Sequence, residues 1–104
     1  MTFSVRITDA AEEDLIRLLD FLLDRVETLE DLEKAQLTID SVRATYRHQL
    51  SSTPFSFRKA GQSPTRRELI VPAGASGYVV LYEIASPTTV VVLAIRHQLE
   101  QDYH

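Results

Sequence analysis

Between Leu50 and Arg67 the hydrophobic period of this chain changes, and that change constrains its fold more than any other feature. Upstream, Leu15, Leu18, Leu19, Leu22 and Val26 recur every three or four residues. So do Leu29, Leu32, Ala35, Ile39, Val42, Tyr46 and Leu50. This spacing gathers apolar side chains on one face of an α-helix. Downstream, the runs Arg67 to Val71, Tyr78 to Ile84 and Thr89 to Ile95 are rich in β-branched and aromatic residues, which favour strands. Their connectors, Pro72 to Gly77 and Ala85 to Thr88, are too short for a crossover helix. Consecutive strands joined this way run antiparallel, as a meander.

Phe3-Ser4-Val5-Arg6-Ile7 alternates apolar and polar residues, the pattern of a short half-buried strand. Asp9 with Glu12 reads as a capping box opening the first helix, which is expected to run to about Glu27. Thr28 then caps the second helix, and Ser51-Ser52-Thr53-Pro54 ends it. The stretch on to Gly61-Gln62-Ser63-Pro64 reads as loop. So short a join between two helices makes an antiparallel hairpin. The order β-α-α-β-β-β predicts an α+β fold: an N-terminal strand, the helical hairpin packed on one face of an antiparallel sheet, and a short C-terminal tail or helix. With 104 residues, 44% of them hydrophobic, the chain can bury one core, so residues 1–104 are expected to form a single domain.

Several chemistries are disfavoured. There is no cysteine, hence no disulfide, thiol nucleophile or thiolate metal site. Gly61, Gly74 and Gly77 are the only glycines, too few and too scattered for a phosphate-cradling loop or a dinucleotide fingerprint. His48, His97 and His104 share no metal-ligand spacing. No metal and no cofactor are expected. Neither a signal-peptide pattern nor an apolar run of membrane-spanning length is present, so the expected location is the cytoplasm, with no membrane partner. The net charge of −4 argues against an electrostatic grip on nucleic acid, although Arg43, Arg47, Arg58, Lys59, Arg66 and Arg67 make the middle of the chain locally basic.

Three segments together carry a family likeness: Arg67-Glu68-Leu69-Ile70-Val71-Pro72, Ser76-Gly77-Tyr78-Val79-Val80-Leu81-Tyr82-Glu83, and Val91-Val92-Leu93-Ala94-Ile95-Arg96-His97-Gln98. With the helix-opening Thr8…Ala11…Asp14-Leu15 pattern, they resemble the RelE/ParE superfamily of toxins from bacterial toxin–antitoxin pairs. The resemblance implies a toxin made with a small cognate antitoxin that silences it. It also implies one of two activities. RelE-like members cut messenger RNA in the ribosome, using a basic sheet surface and a C-terminal tyrosine. ParE-like members act on DNA gyrase. Here Leu69-Ile70-Val71 stands where the nuclease branch carries lysines, Val79 where it has a phosphate-binding arginine, and Leu99 where close relatives of the tail often have another. Tyr103, flanked by the acids Asp102 and Glu100, lacks the cations that stabilise a developing phosphate anion. The ParE-like reading follows: gyrase inhibition, alone or on the gyrase–DNA complex, with no catalytic residue and no sequence-specific nucleic-acid binding; RelE-like mRNA cleavage and an inactive antitoxin-binding relative are the alternatives.

The candidate target-binding residues are Arg96, His97, Glu100 and Tyr103 in the tail, with Arg66 and Arg67 as contacts to a DNA backbone. Each has a plainer role. Arg96 could pair with Glu83 or Glu68 and order the tail, Tyr103 could plug the core, and Arg66-Arg67 could be solvated loop charge. The candidate antitoxin-binding residues are Phe55, Phe57, Tyr78 and Tyr82. For Phe55 and Phe57 the plainer role is to cap the core beneath the helical hairpin.

Overall fold

The computed structural model describes residues 2–73 and 76–100. Strand β1 (Ser4–Ile7) leads into helix α1 (Asp9–Leu23) and helix α2 (Leu29–Ser52). A single 3-10 turn (Pro54–Ser56) and a two-residue strand β2 (Arg58–Lys59) precede the long strands β3 (Arg66–Ala73), β4 (Ser76–Ser86) and β5 (Thr89–His97). The five strands form one sheet in the order β1-β5-β4-β3-β2. β2, β3, β4 and β5 pair antiparallel, as their short connectors require. β1 lies parallel to β5, with Val5 opposite Val90 and Ile7 opposite Val92. A parallel neighbour needs a crossover, and the helical hairpin supplies it.

One face of the sheet and the apolar faces of both helices share a core. Leu15, Leu18, Ile39, Val42, Tyr46 and Leu50 meet Leu69, Val71, Val80, Tyr82, Val90, Val92 and Ile95. Because side chains alternate along a strand, these sheet residues point one way. Ile70, Val79, Leu81 and Val91 point to the opposite face. The alternation slips once within β5: Tyr82 pairs with Val92 but Leu81 pairs with Ala94. Leu93 is therefore an extra residue, a β-bulge that bends the strand and turns Ile95 inward.

Local chemistry accounts for the boundaries, and three of them differ from expectation. α1 is capped by Thr8, not Asp9: the Thr8 hydroxyl accepts from Ala11 N at 3.1 Å, and Asp9 sits inside the first turn. α1 stops at Leu23 because the chain tightens there, with Arg25 N donating to Leu22 O and Val26 N to Leu23 O. This frees Thr28 to take the extended backbone of a cap and accept from Asp31 N. The expected loop after α2 contains β2, whose Arg58 and Lys59 pair with Glu68 and Arg67. Pro72 is tolerated inside β3 because Ala60 N donates to Arg66 O. Residues two, four and six further on therefore turn their backbone groups to the outer edge, where a missing N–H breaks no ladder.

Candidate functional site

The polar chemistry of the molecule concentrates where α1 crosses the end of β5. Its buried part clamps the bulge. Thr8 N donates to Val92 O at 3.0 Å, and the Thr8 hydroxyl donates to Leu93 O at 3.2 Å. Farther along α1, Asp14, only 2% exposed, accepts from Ile95 N at 2.8 Å. The bulge leaves backbone groups without ladder partners, and these two α1 side chains satisfy them. The Thr8…Asp14 pattern therefore has a physical meaning: the cap and a first-half residue of α1 both bond the backbone of β5.

Arg17 carries the arrangement outward. It lies 3.8 Å from Asp14, donates to Ile95 O at 3.4 Å, and contacts both Glu100 carboxylate oxygens at 3.3 and 3.2 Å. Glu100 in turn accepts from His97 N at 2.8 Å. Arg96 curls over the same turn and donates to His97 O, Gln98 O and Glu100 O, the last at 2.6 Å. His97 Nδ1 accepts from Leu99 N at 3.1 Å, and its ring stands edge-on to Tyr78 at 5.4 Å. Gln98 N donates to Gly77 O, and a Cβ on Gly77 would crowd the Val71 carbonyl at 3.0 Å as well as the movable end of Gln98. Beside the turn lies a groove of about 570 Å³ bounded by Leu18, Phe21, Arg25 and Leu99.

Three of the expected target-binding residues, Arg96, His97 and Glu100, are thus brought together in one hydrogen-bonded turn. Tyr103 lies outside the described residues. Arg96 caps carbonyls of its own turn, whereas Glu83 receives Arg66 at 3.4 Å and the Thr65 hydroxyl, and Glu68 receives Arg58 at 3.0 Å. Arg66 and Arg67 do not form one basic patch, because neighbours in a strand face opposite ways. Arg66 stays on the face carrying Glu83. Arg67 points to the helix side and donates to Phe55 O at 3.2 Å and Phe57 O at 2.7 Å. Its guanidinium stands 5.5 Å from the Phe55 ring centroid.

Of the residues expected at an antitoxin surface, Tyr82 is fully buried and donates to Pro54 O at 2.5 Å. Burial pushes its hydroxyl pKa up to about 12, with Arg67 opposing the shift. Tyr78 is buried too, and its hydroxyl is likewise raised by burial. Phe57 is half-buried against the core. Phe55 is 57% exposed and meets Phe3 edge-on at 6.4 Å. Among these four, only Phe55 offers broad side-chain surface. Sequence reasoning missed Arg17, Phe21 and Arg25, having treated α1 as scaffold. The available signal was Phe21, a large aromatic off the Leu15–Leu18–Leu22 stripe.

On the sheet face away from the helices, Ile70, Leu81 and Val91 surround buried Val79 in an apolar strip edged by the Arg58–Glu68 and Arg66–Glu83 pairs. No group of three or more potential metal ligands is found among the described residues, and no helix among them is long and apolar enough to cross a membrane.

Comparison with known proteins places this architecture. The family model for the ParE toxin of type II toxin–antitoxin systems, parDE, matches residues 5–102. Toxin RelE1 of Caulobacter vibrioides is 32% identical over 101 residues, spanning 97% of this chain and 99% of the relative. Toxin RelE3 of the same organism is 34% identical over 98 residues, spanning 94% and 97%. In the solved chromosomal ParDE TA system from P. aeruginosa, a chain 14% identical superposes with a TM-score of 0.71, covering 92% of this chain and 96% of that one. The last match bears on fold alone, and it supports the α+β architecture described above. The model match over nearly the whole chain and relatives above 30% identity agree: this chain belongs to the ParE toxin family of type II toxin–antitoxin systems, within the RelE/ParE superfamily.

Proposed function

We propose that this toxin inhibits DNA gyrase, alone or on its DNA, through protein contacts and without nuclease chemistry of its own. On this reading it works in the cytoplasm as a single domain over residues 1–104, and its cognate antitoxin neutralises it. The observation that carries the reading is the sheet face away from the helices. Its apolar surface is Ile70, Leu81 and Val91 around buried Val79; Arg96, opposite Val79, is turned onto the His97, Gln98 and Glu100 carbonyls, and two further arginines are committed to Glu68 and Glu83. A polyanion needs cations that are free to replace its counterions, and phosphoryl transfer needs them aimed at the reacting group. An apolar surface edged by neutralised ion pairs suits a protein partner better.

The target contacts are assigned to the Arg96–His97–Glu100 turn and the adjoining Tyr103, with Arg66 at the rim of the open face. Arg67 is reassigned to holding the Phe55–Phe57 segment. Phe55 supplies exposed surface to the antitoxin, while Phe57 and Tyr82 hold its segment from beneath; Tyr78 packs on His97 instead.

RelE-like cleavage of ribosome-bound messenger is the second reading, favoured by the names of the two Caulobacter relatives. Purified toxin added in parallel to a gyrase supercoiling assay and to a translating cell-free extract separates the two. Loss of supercoiling with intact messenger is expected. Codon-linked messenger cleavage with gyrase unaffected refutes the proposal.

A further inference from the structure

Two surfaces at opposite ends of α2 match each other in shape and in charge. At its start, the tip of the helical hairpin projects Leu29, 80% exposed, and Leu32, 43% exposed. Residues three apart are neighbours on a helix surface, so the two leucines form one apolar knob that the chain's own packing leaves uncovered. Residues 24–33 around it hold five acids against one arginine. Lys34 reaches Glu30 at 3.6 Å, but among the described residues no cation lies within ion-pair distance of Asp24, Glu27 or Glu33.

At the other end, beside Ser52, a pocket of about 670 Å³ opens between Phe3, Phe55, Ile84 and Pro87. Its surroundings carry the opposite sign, since residues 41–67 hold six cations and no acid. Arg43, Arg58 and Arg66 are paired with Glu12, Glu68 and Glu83. Arg47 and Lys59 are exposed, and among the described residues no carboxylate lies within ion-pair distance of either. Lys59 stands opposite Arg67 in the ladder and so shares the face on which Arg67 reaches the Phe55 ring. The 24 residues of α2, at about 1.5 Å each, keep knob and pocket roughly 36 Å apart. A knob therefore cannot fill the pocket of its own chain, but it can fill that of another.

We propose that the Phe3–Phe55 pocket takes the Leu29–Leu32 knob of a second copy, apolar on apolar and acid on base, so that free toxin associates head to tail. Charge excludes the two-fold alternatives, because such a contact pairs each surface with itself. Tip on tip sets acids against acids, and pocket on pocket sets cations against cations. A head-to-tail contact leaves one knob and one pocket open at the ends, so growth does not stop at two copies. One helix end in one pocket is a small contact of the weak, transient kind, and salt screens its charged part. The pairing is independent of whether the target is gyrase or messenger RNA.

Analytical ultracentrifugation of purified full-length toxin, over about a hundredfold range of concentration, tests this. The mean mass should rise with concentration past that of two copies, and high salt should reduce the rise. Leu29→Arg spoils the knob and Phe55→Glu spoils the pocket; both positions are exposed, so melting temperatures should stay near wild type. Each variant alone should be monomeric. Mixed in equal amounts, the intact knob of one meets the intact pocket of the other, and the mixture should form a dimer and stop there. Lys59→Glu, which leaves the pocket walls in place, should weaken the wild-type association severalfold. Wild-type toxin that stays monomeric throughout overturns the pairing. So does a mass that levels off at two copies, or a mixture of the two variants that remains monomeric.

Discussion

Two polar arrangements meet at the crossing of α1 and β5, only one helical turn apart, and they do different work. The inner one, Thr8 and Asp14 on the Leu93 bulge, is buried, and its acceptors and donors go to backbone groups that have no ladder partner. The outer one, Arg17 and Glu100 with the 97–100 turn, is solvent-facing, with side-chain exposures of 45% and 36%. Burial raises the cost of leaving a polar group unpaired, whereas water and salt replace an exposed ion pair at little cost. The inner clamp therefore governs whether β5 keeps its bend, and the outer latch shapes the exposed surface at the end of β5.

The largest effect should come from the inner clamp. Asp14→Ala leaves Ile95 N–H buried without an acceptor and should cost about 3 kcal/mol of unfolding free energy. Asp14→Asn, which keeps an oxygen able to accept that N–H, should recover part of it. Urea denaturation of the two variants measures the difference; a loss below about 1 kcal/mol for Asp14→Ala would put both arrangements in one class and break the contrast.

Tyr82→Phe comes next. It removes the bond to Pro54 O and should cost about 1–2 kcal/mol. The same hydroxyl gives a pH signature. Its folded pKa of about 12 lies above the ordinary tyrosine value of 10.0, so the native state holds the proton more tightly than the unfolded chain. The resulting stability is fully present below pH 10 and falls as pH rises toward 12. Tyr82→Phe should flatten part of that alkaline decline. Tyr46 and Tyr78, also raised by burial, keep the remainder.

Smaller changes belong to the outer latch. Arg17→Gln or Glu100→Gln should alter stability by less than about 1 kcal/mol, and the loss should shrink further in high salt. Toxicity in cells should fall nonetheless, because the turn bearing His97 loses its tether to α1. A variant with full toxicity, or one that unfolds like Asp14→Ala, removes the division of labour. Tyr46→Phe should be the quietest, within about 0.5 kcal/mol of wild type: its buried hydroxyl lies near the Arg43 guanidinium without a well-formed hydrogen bond.

The sequence carried most of the architecture because periodicity and connector length are local signals. The stripes from Leu15 and Leu29 and the three β-rich runs each decide their own element, and short connectors decide antiparallel pairing. The parallel seat of β1 beside β5 and the two-residue β2 were not legible in this way, since each depends on a partner far along the chain. The bulge at Leu93 was hidden for the same reason: Val90 to Ile95 reads as an unbroken apolar run, and only the register against β4 exposes the extra residue. At the site, Arg96, His97 and Glu100 could be grouped because they lie close in sequence. Their tether, Arg17, sits 83 residues from Glu100. Arg66 and Arg67 looked like one patch on paper, and the alternation of a strand divides them between two faces.

The most direct test of the account is gyrase-catalysed supercoiling titrated with purified toxin, and then with toxin preincubated with its antitoxin. The account predicts supercoiling lost in proportion to free toxin and restored by stoichiometric antitoxin. Undiminished supercoiling at toxin concentrations that cleave messenger in a translating extract would contradict it.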